Sequence, residues 1–380
     1  MLDSSLRREN VTLNRQEYAA RNLRLKSWPR VLFIELTQKC NAACWMCRSP
    51  GGNAALPEMT FDKFREIADQ AFSRAEIIDL RGWGESLIYP QFSRALAYAA
   101  SFGALLKIYT NLSVSRRVCE QLAEYNVTTA VSFDAAEKHL FERLRAGCRF
   151  DLVIDNLAFL ASAASAKGRR ELVYLSVTVQ GENLFDVPNI VELANSLGIS
   201  EVKLFPVICD ESDPAHLSHH LPDVARVLDR ALHMANTLGV RLSCGAGLDE
   251  SLTIQDRAMM APCLHPWTYC YIDPFGQLGF CDHLIGQKAF ILAGASSDFH
   301  AGWNSQGFQR LRAQHACGPN AIDDDYYPCR WCYGRRYVDT EHWIEPAFGC
   351  RQVSSETTQQ LYEIKSFEKR RLPFVSGLNR

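Results

Sequence analysis

"VLFIELTQKCNAACWMC", residues 31–47, sets an apolar run directly before three cysteines, Cys40, Cys44 and Cys47. The run 31–36 reads as a strand, and the cysteines behind it are spaced C-x3-C-x2-C. From there to about residue 210, short apolar runs alternate with helical patterns. The strand candidates are VLFIEL (31–36), EIIDLRG (76–82), LLKIYTN (105–111), TAVSFD (129–134), LVYLSVTV (172–179) and EVKLFPVI (201–208). Between them FDKFREIADQAF, FSRALAYAASF, RRVCEQLAEY, FDLVIDNLAFLASAASAKG and VPNIVELANSLG carry apolar residues at spacings of three and four. Strands apolar nearly throughout, each followed by an amphipathic helix, predict a parallel α/β sheet, open or closed into a partial barrel. A helix at 223–239 and the strand VRLSC complete this unit near residue 245.

The rest of the chain sets bounds on this reading. In 380 residues, 47% hydrophobic and 22% charged, there is material for a large core, which excludes a largely disordered chain. A net charge of −2 offers no strong field to nucleic acid or to an acidic membrane. No apolar stretch reaches the ~20 residues that span a bilayer. Residues 1–30 are Arg-rich without an apolar signal-peptide core, so the chain is expected in the cytoplasm. Fourteen cysteines in such a chain point to metal rather than to a disulfide framework. Cys119 and Cys148 stand alone and read as small buried hydrophobes. The expected organisation is an extension at 1–30, the α/β unit at 31–245, a cysteine-rich segment at 246–350 and a tail at 351–380. The third segment is rich in Trp, Tyr, Gly and Pro and poor in aliphatic residues, so metal is expected to hold it together.

Three thiolates fit zinc poorly, because a structural zinc site closes with four ligands. A 4Fe–4S cluster is also normally held by four cysteines, so three would leave one iron open to another ligand. The loop follows the first strand, at the carboxyl end where α/β folds place their sites. C-x3-C-x2-C after a first strand resembles the signature of the radical S-adenosylmethionine (SAM) superfamily. That resemblance implies a partial (β/α)6 barrel, with SAM on the open iron and a 5′-deoxyadenosyl radical that takes a hydrogen atom from the substrate. "RGWGESLIYP" (81–90) is similar to the family's Gly-Gly-Glu motif. Gly84 and Glu85 match and imply a seat for the ammonium group of SAM, while Trp83 stands where the first glycine is usual. Asn111 in "YTN" and Ser132 in "SFD" match positions that face SAM; Arg145 and Thr178 are weaker matches. Met46 holds the place of the usual aromatic residue before the third cysteine.

A second set follows: Cys263, twelve residues, Gly276, four residues, Cys281, and later the pair Cys329 and Cys332. From spacing alone, zinc and a fully ligated 4Fe–4S cluster are equal candidates. The pattern resembles the twitch form of the SPASM extension behind some radical SAM barrels, which implies one auxiliary 4Fe–4S cluster and hence two clusters in all. Cys270, Cys317 and Cys350 are left over, as ligands of a further cluster, structural residues or hydrogen-atom donors. The same resemblance extends to radical SAM dehydrogenases and epimerases of aminoglycoside and aminocyclitol biosynthesis. It implies oxidation of a carbinol on a sugar or aminocyclitol, a small-molecule substrate, and a flavodoxin or ferredoxin as electron donor. Epimerisation, decarboxylation, dehydration and peptide maturation are the alternatives. Thirty residues before the first strand are too few for a leader-peptide-binding module, and the polar run 333–345 reads as either pocket lining or solvated loop.

Overall fold

In the computed structural model, the described residues are 4–47, 56–210, 212–245, 262–281, 290–294, 297–326, 329–330 and 350–352; for 4, 244–245 and 350–352 this means the backbone alone. After α1 (Ser4–Ala19) come β1 (Val31–Ile34), α2 (Phe61–Ala71), β2 (Ile77–Asp79), α3 (Phe92–Ala100), β3 (Leu105–Thr110), α4 (Arg116–Glu124) and β4 (Thr128–Ser132). Then follow α5 (Lys138–Leu144), α6 (Phe150–Ala166), β5 (Val173–Val179), α7 (Val187–Ser196), β6 (Glu201–Pro206), α8 (Leu221–Leu238) and β7 (Arg241–Gly245). The remaining elements are α9 (His265–Thr268), β8 (Tyr269–Ile272), β9 (Leu278–Gly279), α10 (Phe299–Trp303), α11 (Gln306–Ala316) and β10 (Cys350–Gln352).

The ten strands among the described residues join one sheet in the order β10-β7-β6-β5-β4-β3-β2-β1-β8-β9. Every pair from β7 to β8 is parallel; only the outer strands β10 and β9 run antiparallel. This is the partial barrel expected from the alternating pattern. Side chains alternate along each strand. Leu32, Ile34, Ile78, Leu106, Ile108, Val131, Leu175 and Val177 face the helices, in one continuous core with Phe64, Ile67, Leu96, Leu122, Leu157 and Val191. Helix α2 shows how the sequence dictates this. Thr60 caps it by accepting from the Lys63 amide, Asp62 sits in its first turn, and Phe61, Phe64, Ile67, Ala68 and Ala71 form its buried stripe. Cys119 and Cys148 lie buried in the same core.

Two features were not foreseen. Residues 1–30, read only as an extension, contain α1, which is tied down by polar groups rather than by an apolar stripe. The Arg7 guanidinium donates to the carbonyls of Ala75, Phe102 and Gly103, and Asn10 to those of Trp28 and Arg74. Asn14, fully buried, donates to Ser27 Oγ at 3.0 Å and to the Trp267 carbonyl at 2.7 Å. The second is that the cysteine-rich segment continues the barrel's own sheet. β8 (YCYI) is wholly buried and lies parallel to β1, with Val31 opposite Tyr269 and Ile34 opposite Ile272. The texture of 246–350 hid this strand because only four consecutive residues carry it.

Asn14→Ala removes both donors from a fully buried site, leaving the Trp267 carbonyl without its Asn14 partner. The expected loss is about 1–3 kcal/mol, read as a lower midpoint in urea or thermal unfolding; an unchanged midpoint refutes this role for α1.

Candidate active site

The loop after β1 is built by close backbone contact. Cys40 and Cys44 are half-buried and Cys47 exposed. The Cys47 amide donates to the Cys44 carbonyl, and the Ala43 amide to the Ala146 carbonyl at 2.7 Å. Two glycines allow the approach. A Cβ on Gly84 would stand 2.4 Å from the Lys39 carbonyl oxygen and 2.5 Å from that of Thr37. At Gly147, with φ +93°, a Cβ would stand 2.8 Å from the Asn41 carbonyl oxygen. The turn after β2 and the turn after α5 thus press on the cysteine loop from two sides. Gly147 was not singled out in the sequence; "RAG" carries no spacing that marks it.

Four side chains fasten this cradle. Glu85 is 3% exposed, and its carboxylate accepts from the Leu87 amide (3.1 Å), Thr110 Oγ1 (2.9 Å) and the Asn111 amide (2.8 Å). Burial nevertheless pushes its carboxyl above the usual carboxylate range, with these hydrogen bonds opposing. In this structure its oxygens meet donors of its own turn and of the end of β3. Glu85 acts by holding the turn, whose own amide donates to the Lys39 carbonyl. Asn111 Nδ2 lies 2.8 Å from Asn41 Oδ1 and 3.9 Å from Cys40 Sγ, so Asn111 meets the cysteine loop directly. Asp134 and Arg145 form a buried ion pair at 2.7 Å, and Arg145 Nη1 lies 3.9 Å from Cys44 Sγ. Asp134 also accepts from the Thr178 amide at 2.7 Å, which ties Thr178 to the pair through its backbone. Ser132 is half-buried at the end of β4, opposite Ser176, and Met46 is half-buried within the loop.

Glu35, the residue after β1, was passed over because it reads as the polar end of a strand. It is fully buried. Its carboxylate accepts from the Trp83 amide (2.5 Å), Gln38 Nε2 (2.9 Å) and Tyr271 Oη (2.6 Å). It thereby joins the cysteine loop, the turn after β2 and β8.

Among the leftover cysteines, Cys270 is corrected as a hydrogen-atom donor. It stands opposite Leu32 in β8, on the helix-facing side, fully buried in the core, and burial pushes its thiol well up. Cys317 is exposed at the C-cap of α11. The backbone of Cys350 lies in β10 opposite Gly245, and its side chain is outside the described residues. In the second cysteine set, Cys263 is close enough to raise the pKa of buried Cys329 further, and His265 Nδ1 lies 3.2 Å from Cys281 Sγ. Cys332 and the run 333–345 lie outside the described residues.

Whether the first loop suits a cluster is decided by its donors. Two thiol sulfurs meet N–H groups: Cys40 that of Ala42 at 3.4 Å and Asn111 at 3.9 Å, and Cys44 the cationic Arg145. Burial pushes the Cys40 thiol up to about 11, so a bound cation is what makes a thiolate favourable there. Half-buried thiols with N–H donors and a nearby cation suit a cluster rather than an inert cysteine. Among the described residues, no three Cys, His, Asp or Glu converge on a point that a single ion would fill.

The sequence profile of the radical SAM superfamily matches residues 34–194. A mycofactocin maturase of Mycobacterium tuberculosis is 25% identical over 316 residues, 80% of this chain and 77% of the relative. An AdoMet-dependent heme synthase of Methanosarcina barkeri is 24% identical over 346 residues, 83% of this chain and 95% of the relative. In fold, the chain is similar to Streptococcus suis SuiB bound to S-adenosylmethionine, with a TM-score of 0.61 at 16% identity, covering 80% of this chain and 72% of that one.

Gly84→Ala drives a methyl into two carbonyl oxygens and must displace the loop. The expected outcome is loss of most of the iron bound by the loop after anaerobic reconstitution, measured per chain beside the wild type. Full iron retention shows that the turn does not brace the loop.

Proposed function

Starting from a radical SAM domain at residues 34–194, a class that uses SAM and a 4Fe–4S cluster, we propose that this chain is a maturase-type radical SAM enzyme acting on a peptide substrate. The observation that carries the reading is the three-thiol loop at the carboxyl end of a parallel sheet, braced by Gly84 and Gly147. When bound, cluster and SAM supply a 5′-deoxyadenosyl radical that takes a hydrogen atom from the substrate. Cys40, Cys44 and Cys47 hold that cluster; Arg145 and Asn111 orient the loop and donate toward its sulfurs. In this reading Ser132, Thr178 and Met46 line the cofactor's seat. Cys263, Cys281, Cys329 and Cys332 hold one auxiliary cluster, with His265 against Cys281.

Maturase relatives that share a quarter of their residues over most of the chain support a peptide substrate over the sugar or aminocyclitol expected from the sequence. SuiB has also been solved with its precursor peptide, so this fold accommodates one. The match to an AdoMet-dependent heme synthase supports a second reading, a radical reaction on a small molecule rather than a peptide. No described helix is long and apolar enough to cross a membrane.

Anaerobic reconstitution of wild type should give about eight irons per chain, and a triple Cys40/Cys44/Cys47→Ala variant about four. With dithionite and SAM, wild type should form 5′-deoxyadenosine and the triple variant none. A triple variant that still cleaves SAM sinks the assignment, and zinc in place of iron sinks both clusters.

A further inference from the structure

His265 opens α9 just after Cys263 and is 6% exposed. Its ring lies against that of Tyr269, with centres 3.9 Å and planes 27° apart, and Tyr269 stacks in turn on Phe33 of β1. The short helix that carries it is tied to α1, to the segment behind α1 and to α11. Asn14 donates to the Trp267 carbonyl at 2.7 Å, and Trp267 Nε1 to the Asn22 carbonyl at 2.8 Å. Fully buried Arg312 donates from Nε to the Pro266 carbonyl at 2.8 Å. Held in this way, the imidazole sets Nδ1 3.2 Å from Cys281 Sγ. A phenyl ring would stack on Tyr269 equally well. What histidine adds at this place is a nitrogen that faces sulfur.

Cys281 belongs to the set assigned above to the auxiliary cluster. The described part of that set suits one: burial, and then Cys263 nearby, push the Cys329 thiol up, so a bound cation is what favours a thiolate there. A ligating thiolate carries no proton and can only accept, so the hydrogen between His265 and Cys281 sits on Nδ1. We infer that His265 donates Nδ1–H to the ligating sulfur of Cys281 and thereby makes the auxiliary cluster easier to reduce, an inference that rests on the cluster assignment proposed above. Reduction adds negative charge that the sulfurs share, so a donor aimed at one of them stabilises the reduced form more than the oxidised one. His265 is the partner of a ligand rather than a ligand itself. Its ring is fixed by Tyr269 and its helix by Arg312, Asn14 and Trp267, so the donor keeps its aim in both redox states.

The test uses the full chain with Cys40, Cys44 and Cys47 changed to Ala, reconstituted anaerobically so that the auxiliary cluster is alone. EPR at poised potentials follows its reduction. His265→Phe on this background keeps a ring against Tyr269 and removes the donor. The cluster should become about tenfold harder to reduce, a midpoint about 59 mV lower for one electron. His265→Asn, whose amide can carry an N–H near the place of Nδ1, should recover much of that shift. With His265 in place and histidine labelled with nitrogen-15, ENDOR of the reduced protein should show a weak nitrogen coupling. An unmoved or raised midpoint in His265→Phe, an Asn variant no different from Phe, or no nitrogen coupling overturns the inference. Iron lost from both His265 variants, or the strong coupling of a directly bound nitrogen, makes His265 a ligand and overturns it as well. Where His265→Phe alone loses iron, the nitrogen coupling decides. Zinc or no metal in the chain that keeps His265 defeats the parent reading instead, and the inference falls with it.

Discussion

A carboxylate taken out of water has to find its donors inside the protein, and the mouth of this barrel is organised by two that do. Glu85 draws on the Leu87 amide, Thr110 and the Asn111 amide; Glu35 draws on the Trp83 amide, Gln38 and Tyr271. Each is a hub whose donors come from separate segments of the chain. Hydrogen bonds to an ionised group contribute about 1.5–3 kcal/mol each, and stripping their donors away costs more. The turn after β2 is fixed from both ends, by Glu35 at Trp83 and by Glu85 at β3. Its glycine can therefore press against the cysteine loop without giving way.

How much of this could be read beforehand depended on how each residue announces itself. Alternating strands and amphipathic helices are written in side-chain period, so the parallel sheet and its order of appearance were legible. The cysteine loop was legible because three thiols in eight positions have few other uses. Glu85 was found for its motif, but the donors that hold it were not, since direction of a side chain is not a sequence property. Glu35 was invisible for the opposite reason. A lone charge in an apolar run looks like a strand end or a surface position, and only the closure of the sheet reveals that it faces inward. Helix α1 was missed because its anchors, Arg7, Asn10 and Asn14, are the residues that usually mark a solvated segment.

Arg145 illustrates how electrostatics and geometry cooperate at the loop. Its partner Asp134 is held by the Thr178 amide, and Asn183 donates to the Asp134 carbonyl, so the pair is locked to β4 and β5. The guanidinium reaches Cys44 from that anchor, while Asn111 reaches Cys40 from β3. Strands on the far side of the barrel thus take part in fixing sulfur positions on the first loop. A shift in any one of them is felt at the thiols.

The parallel pairing of β8 with β1 carries a consequence for how the chain can be divided. β1 is the first strand in sequence, yet its second neighbour is supplied by residues nearly 240 positions later, Tyr269–Ile272. Cutting the chain after β7 would strip one margin of β1 bare, leaving its amides and carbonyls open to a strand from another molecule. The barrel is consequently no freestanding module: a shortened protein invites self-association along that margin.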